Sequence, residues 1–176
     1  MENVFDKRFW EDLTTLDFSN MDLQNCLAIL PVAAIEQHGP HLPVKVDSTI
    51  ISGLVEMIAK KLPKDSKAVF LPTQKIGKSN EHLAFPGTLS LSTETFFATI
   101  MDIGGCVASY GIKKLMLINS HGGNISVLDT ATRELRVKHN MLVFNVNWFG
   151  LGMPEGVYSS EELKHGIHAG DMETSV

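Results

Sequence analysis

Apolar positions along the chain fall into two kinds of run, and their alternation predicts strands separated by helices. Leu27 to Ile35 is a continuous apolar stretch of strand length, the pattern of a strand buried on both faces. From Ser48 to Lys61 the residues Ile50, Ile51, Leu54, Val55, Met57 and Ile58 recur at helical spacing until Pro63 stops them. Ala68 to Leu71 reads as a short second strand. Ser92 opens a helix with Phe96, Phe97, Ile100, Ile103 and Val107 on one side, and Gly111 closes it. Lys114 to Asn119 is a third strand, residues 126–139 a helix, and Met141 to Val146 a fourth strand. Strands joined by helices of this length make βαβ units, so the expected fold is α/β: a mainly parallel sheet sandwiched between helices. Near the N-terminus, Phe5, Phe9, Trp10 and Leu13 have helical apolar spacing and are expected to dock on the chain's own core.

With 176 residues, 44% hydrophobic and 20% charged, the chain has the size and composition of one globular domain, residues 1–176. Its final residues, Asp171 to Val176, read as the first turn of a helix, so a chain cut short at the C-terminus is expected. A net charge of −5 supplies no basic footprint for nucleic acid or anionic membrane. No apolar run approaches the ~20 residues of a membrane span, and the charged N-terminus lacks a signal-peptide core. Cys26 and Cys106 form no Cys-x-x-Cys pair and sit in apolar segments, which predicts buried free thiols. A cytoplasmic location follows as the expectation.

The chemistry gathers where strands end. The first strand runs into Glu36-Gln37-His38-Gly39-Pro40-His41-Leu42-Pro43 and on to Asp47. Glu36 and His38 are two apart, so an extended backbone turns both to one side. The third strand runs into Asn119-Ser120-His121-Gly122-Gly123-Asn124. Beyond the fourth lies Gly166-Ile167-His168-Ala169-Gly170-Asp171-Met172-Glu173. Ligands of open parallel sheets bind outside the carboxyl ends of the strands, so the three groups are expected to converge. Carboxylate and imidazole donors without thiolate suit Zn²⁺ or Mn²⁺ at a hydrolytic site. Plainer roles compete: Asp47 before Ser48 is a natural helix N-cap. His41, His82, His139 and His165 fit surface or capping positions, and Trp148 fits core or interface.

These blocks, with Phe85-Pro86-Gly87-Thr88 and the Glu173-Thr174-Ser175 end, resemble the creatininase (creatinine amidohydrolase) family from about Leu30 to Val176. The resemblance implies a three-layer α/β fold, a binuclear centre with two Zn²⁺ per chain and Mn²⁺ at one position, and commonly a homo-hexamer. It implies hydrolysis of a C–N bond in a cyclic or linear amide or a peptide, with a metal-bridged hydroxide as nucleophile. Residue by residue, Glu36 and His121 would hold one metal and His38 the other, with Asp47 bridging and His168 as general acid or base. Two positions depart from creatininase itself. Gly123 stands where that enzyme has a glutamate ligand, a role for which Glu173 is the expected replacement. Lys164 stands where it has a tryptophan over creatinine, although Trp148 matches a second family tryptophan. Relatives that trim a peptide precursor or remove a formyl group are the nearer likeness. The alternative is a non-catalytic member retained for binding or assembly.

Overall fold

A computed structural model describes residues 4–176. Helix α1 (Thr15–Asn20) precedes β1 (Leu27–Val32), then α2 (Val46–Lys61), β2 (Ala68–Phe70), α3 (Thr93–Ser109), β3 (Lys114–Asn119), α4 (Ile125–His139) and β4 (Leu142–Asn147). Two short helices, α5 (Ser160–His165) and α6 (Asp171–Thr174), end the chain. The strands form one sheet in the order β2-β1-β3-β4, parallel throughout. Leu27 lies opposite Ala68 on one side and Lys114 on the other.

Side-chain alternation divides the core between the two faces of the sheet. Ala28, Leu30 and Val32 of β1 join Leu115 and Leu117 of β3 against Phe96, Ile100 and Val107 of α3 and Leu128 and Leu135 of α4. Ile29, Ala33, Phe70 and Ile118 point the other way, onto Ile51 and Val55 of α2. The result is three layers, as the strand–helix alternation predicts. Helices α3 and α4 approach closely because Gly104 has no side chain: a Cβ there would lie 2.6 Å from the Leu135 side chain.

Strand β1 ends at Val32, three residues before the apolar run does. It nevertheless carries a proline in a central position. The carbonyls of Ile29 and Pro31 both face β2, accepting Leu71 N and Gln74 N at 2.8 and 2.9 Å. The missing N–H of Pro31 thus faces a ladder that has already stopped at Phe70, and it removes no strand bond.

The N-terminal segment docks on the core as expected, although as short 3₁₀ turns (Val4–Lys7 and Trp10–Asp12). Phe5 is buried in the core cluster that includes the inward residues of α3, and Phe9 packs on Phe70 with ring centroids 5.9 Å apart. Cys26 is buried, and its thiol is pushed up to about 12 by burial. Cys106 corrects the sequence reading: it is exposed, because α3 turns Phe96, Ile100, Gly104 and Val107 inward and leaves position 106 off that face. No helix among the described residues is long and apolar enough to cross a membrane.

Candidate metal centre

With every strand parallel, the carboxyl ends of β1, β2 and β3 share one edge of the sheet, and the polar cluster forms there. After β1, the Glu36 N–H donates to Val44 O at 3.0 Å, and Gly39 takes a left-handed φ of +72° to reverse the chain. This hairpin-like excursion buries both Glu36 and His38, which are 1% and 0% exposed. Helix α2 starts at Val46 with Lys45 as its N-cap residue. Asp47 therefore does not cap the helix, correcting that reading. It lies inside the first turn, 1% exposed, with its carboxylate turned toward His38 and His121.

The turn after β3 is fixed by reciprocal amide bonds. Asn119 donates to His121 O at 2.7 Å and accepts from His121 N at 3.2 Å. Asn124 donates to Ala33 O at 3.0 Å and to Asn119 Oδ1 at 3.1 Å. Ser120 Oγ donates to the Asp47 carbonyl at 3.0 Å, tying this turn to α2.

Within the cluster, His121 Nδ1 lies 3.1 Å from Glu36 Oε1 and 3.5 Å from Asp47 Oδ2. His38 Nε2 lies 3.7 Å from Asp47 Oδ1 and 3.6 Å from Glu173 Oε1. Both imidazoles are held by their other nitrogen: His38 Nδ1 on Glu36 O at 3.0 Å, His121 Nε2 on Lys78 O at 3.0 Å. A carbonyl only accepts, so each of those nitrogens carries a proton. In the neutral rings, His38 Nε2 and His121 Nδ1 are then lone pairs aimed into the cluster. His38 Nε2 and Asp47 Oδ2 are fully buried without a hydrogen-bond partner.

The third predicted group reaches the same place. His168 Nε2 donates to Gln37 O at 2.6 Å, which leaves Nδ1 facing Glu36 Oε1 at 3.6 Å. Glu173 turns one oxygen to His38 while the other accepts the Ala169 N–H. Glu162 braces this segment: its Oε1 accepts Met172 N–H at 3.2 Å, and its side chain fills the space beside Gly166 and Gly170.

Three neighbours escape the sequence reading. Ser79 donates to Glu36 Oε2, Glu81 lies 3.4 Å from His121 Nε2, and His82 stacks on His168 at 4.4 Å. His82 is thus no plain surface histidine, since its Nδ1 also accepts from Gln37 Nε2 at 2.9 Å. The available signal was position: these residues follow β2 and so belong to the same sheet edge. His41 meets Thr174 Oγ1 at 3.3 Å, and His139 and His165 end α4 and α5.

Burial and the neighbouring charges pull on the titratable groups of the cluster in opposite directions. Burial alone would favour a neutral His38, but the nearby carboxylates of Asp47 and Glu173 outweigh it and push the imidazole up to about 10. Burial likewise opposes charge on His121, yet Glu36 raises it; burial pushes Asp47 up. Glu36 ends below its ordinary value, because His121 and Ser79 offset its burial. A raised histidine stabilises the fold fully below its unfolded value of 6.5, and that contribution is lost as pH rises through about 10. The metal-free chain should therefore melt at progressively lower temperature from pH 7 to 10, and saturating Zn²⁺ should flatten the profile. Thermal unfolding across that range checks it; a metal-free melting point that rises with pH contradicts it.

The cluster forms one wall of a cavity of about 630 Å³, and Trp148, Phe149, Met153, Leu163 and Ile167 line the other. The family model described as "Creatininase: Creatinine amidohydrolase" matches residues 11–176. The chain belongs to the creatininase family. It is 32% identical over 152 residues to a mycofactocin precursor peptide peptidase of Mycolicibacterium smegmatis, covering 85% of this chain and 56% of that protein. A solved mutant creatininase of Zn-Zn type superposes with a TM-score of 0.76 at 27% identity, covering 99% of this chain and 71% of that one. A solved structure of creatininase with Mn gives 0.75 at 28%, covering 96% and 70%. The chain thus spans about half the length of the curated relatives it matches.

Proposed function

We propose that this creatininase-family chain carries a two-metal hydrolytic site that cuts the C–N bond of an amide or peptide. The observation that carries the reading is the pair of buried, unpartnered atoms, His38 Nε2 and Asp47 Oδ2, inside a cluster whose histidine tautomers are already set. Leaving such atoms unsatisfied costs about 1–3 kcal/mol each, a cost that coordination removes. The oxygen and nitrogen donors fit Zn²⁺, with Mn²⁺ at one position. Glu36 and His121 would hold one ion, His38 and Glu173 the other, with Asp47 between them. Such a pair supplies Lewis acidity and a water activated near neutral pH.

The chain's own groups do the rest. His168, anchored through Nε2–H, presents Nδ1 to the cluster and can carry a proton to the departing nitrogen. Glu173 faces His38 Nε2 alongside Asp47, and its other oxygen accepts the Ala169 N–H and so orients that turn. The apolar wall accepts an apolar portion of the substrate, and the cavity is larger than creatinine requires. A peptide or peptide-like amide fits that shape, in keeping with the precursor peptide peptidase among its relatives. A binding protein without catalysis is the second reading, motivated by Gly123 at a ligand position of creatininase.

The test is metal analysis of protein purified without chelator, followed by hydrolysis of a panel of peptide amides and creatinine. About two ions per chain and cleavage of peptide amides with apolar side chains are expected. Two ions without cleavage of any amide favours the binding reading, and no stoichiometric metal overturns the proposal.

A further inference from the structure

Gly123 has no backbone reason to be glycine, since it is absent from the positive-φ residues. Its reason is space. A Cβ at this position would meet Glu81 Oε1, His121 Nε2 and, at 2.6 Å, the Lys78 carbonyl. The volume beside the His121 ring is therefore already occupied, and one occupant is a carboxylate from a separate segment.

We infer that Glu81 is a positioning residue for His121, the carboxylate that fixes this imidazole for metal coordination; the inference rests on the two-metal reading. Glu81 Oε1 lies 3.4 Å from His121 Nε2, whose proton also meets Lys78 O at 3.0 Å. The opposite nitrogen, Nδ1, faces Glu36 at 3.1 Å. A carboxylate behind a ligating histidine locks the ring's tautomer and rotation and makes its free nitrogen a better donor. Glu81 is paired with the imidazole at Nε2, the nitrogen opposite Nδ1, and one of its oxygens lies within 4.8 Å of a Glu36 oxygen and a His121 nitrogen. It acts through His121, and the zinc stoichiometry of its variants separates that role from direct ligation.

The segment that carries Glu81 is anchored for this purpose. Lys78 N donates to Asn124 Oδ1 at 2.9 Å, Ser79 N donates to Ser90 Oγ at 2.9 Å, and His82 N donates to Ser79 O at 3.2 Å. One turn thereby places Ser79 on Glu36, Glu81 on His121 and the His82 ring on His168. With Glu81, the cluster holds four carboxylates, matching the charge of two divalent ions.

The experiment measures Zn²⁺ affinity of the full chain and its Glu81→Gln and Glu81→Ala variants by competition with a chromogenic chelator. Melting of the metal-free proteins is recorded alongside. Glu81→Ala should weaken one zinc site by about 10- to 100-fold while both sites still fill at excess zinc. Glu81→Gln, which keeps an acceptor oxygen, should fall between it and the parent. The metal-free melting point should move little, because the Glu81 side chain is 41% exposed. Affinity within twofold of the parent in both variants overturns the inference alone. So does saturation at one ion, which would make Glu81 a ligand. A parent chain that binds no zinc overturns this inference together with the two-metal reading.

Discussion

Asp47→Asn should abolish the metal pair, taking the chain from about two ions to at most one loosely held ion. Hydrolysis should fall on the order of a thousandfold, since metal catalysis contributes several kcal/mol and each 1.36 kcal/mol is a factor of ten. The reason is position: one carboxylate faces both His38 at 3.7 Å and His121 at 3.5 Å. Asparagine keeps its shape but removes the charge that two cations would share.

The same substitution separates a functional role from a structural one. Burial raises the Asp47 carboxyl. A carboxylate raised in the folded state favours folding only while protonated, so at neutral pH its charge costs stability. Metal-free Asp47→Asn loses that unfavourable charge but also the carboxylate that raises His38, so it should melt close to the metal-free parent, even as it loses metal and activity. A variant that melts well below the parent would instead make Asp47 a structural residue. Elemental analysis and calorimetry on the same preparation give both readings.

Much of this architecture is legible in the sequence because parallel strands are buried on both faces. Leu27–Val32 and Lys114–Asn119 are nearly unbroken apolar runs, and no helical pattern competes for them. The positions of Glu36, His38, His121, His168 and Glu173 at the carboxyl edge follow from strand order and short spacing. Asp47 is harder. An acidic residue just ahead of a helical pattern is also what an N-cap looks like, and only the start of α2 at Val46 removes that role. Ser79, Glu81 and His82 were not legible at all, because their partners are remote. Ser79 meets Glu36 across 43 residues of chain, and His82 meets Gln37 across 45. No local periodicity reports such contacts. Gly123 shows the same limit: Gly-Gly-Asn reads as turn chemistry, whereas the structure makes Gly123 a space for Glu81.

Removing metal should act most strongly on the last eleven residues, 166–176. Neither α5 nor α6 buries a single residue, so this segment draws almost nothing from the hydrophobic core. Its ties to the body are polar: His168 to Gln37 O, Thr174 to His41, and Glu173 toward His38 at 3.6 Å. An ion shared by His38, Asp47 and Glu173 would be its strongest tether. Chelation should therefore raise amide hydrogen exchange across residues 166–176 while β1 and β3 stay protected by their ladder and core. It should also lower the melting point. An ion at a thousand times its dissociation constant contributes about 4 kcal/mol, which corresponds to roughly 8–16 °C for a chain of this size. Glu173→Gln should reproduce the exchange pattern with metal still present at the Glu36–His121 position, because only the tether is cut. If chelation leaves residues 166–176 exchanging as before, Glu173 is not a ligand and the second ion is held by other groups.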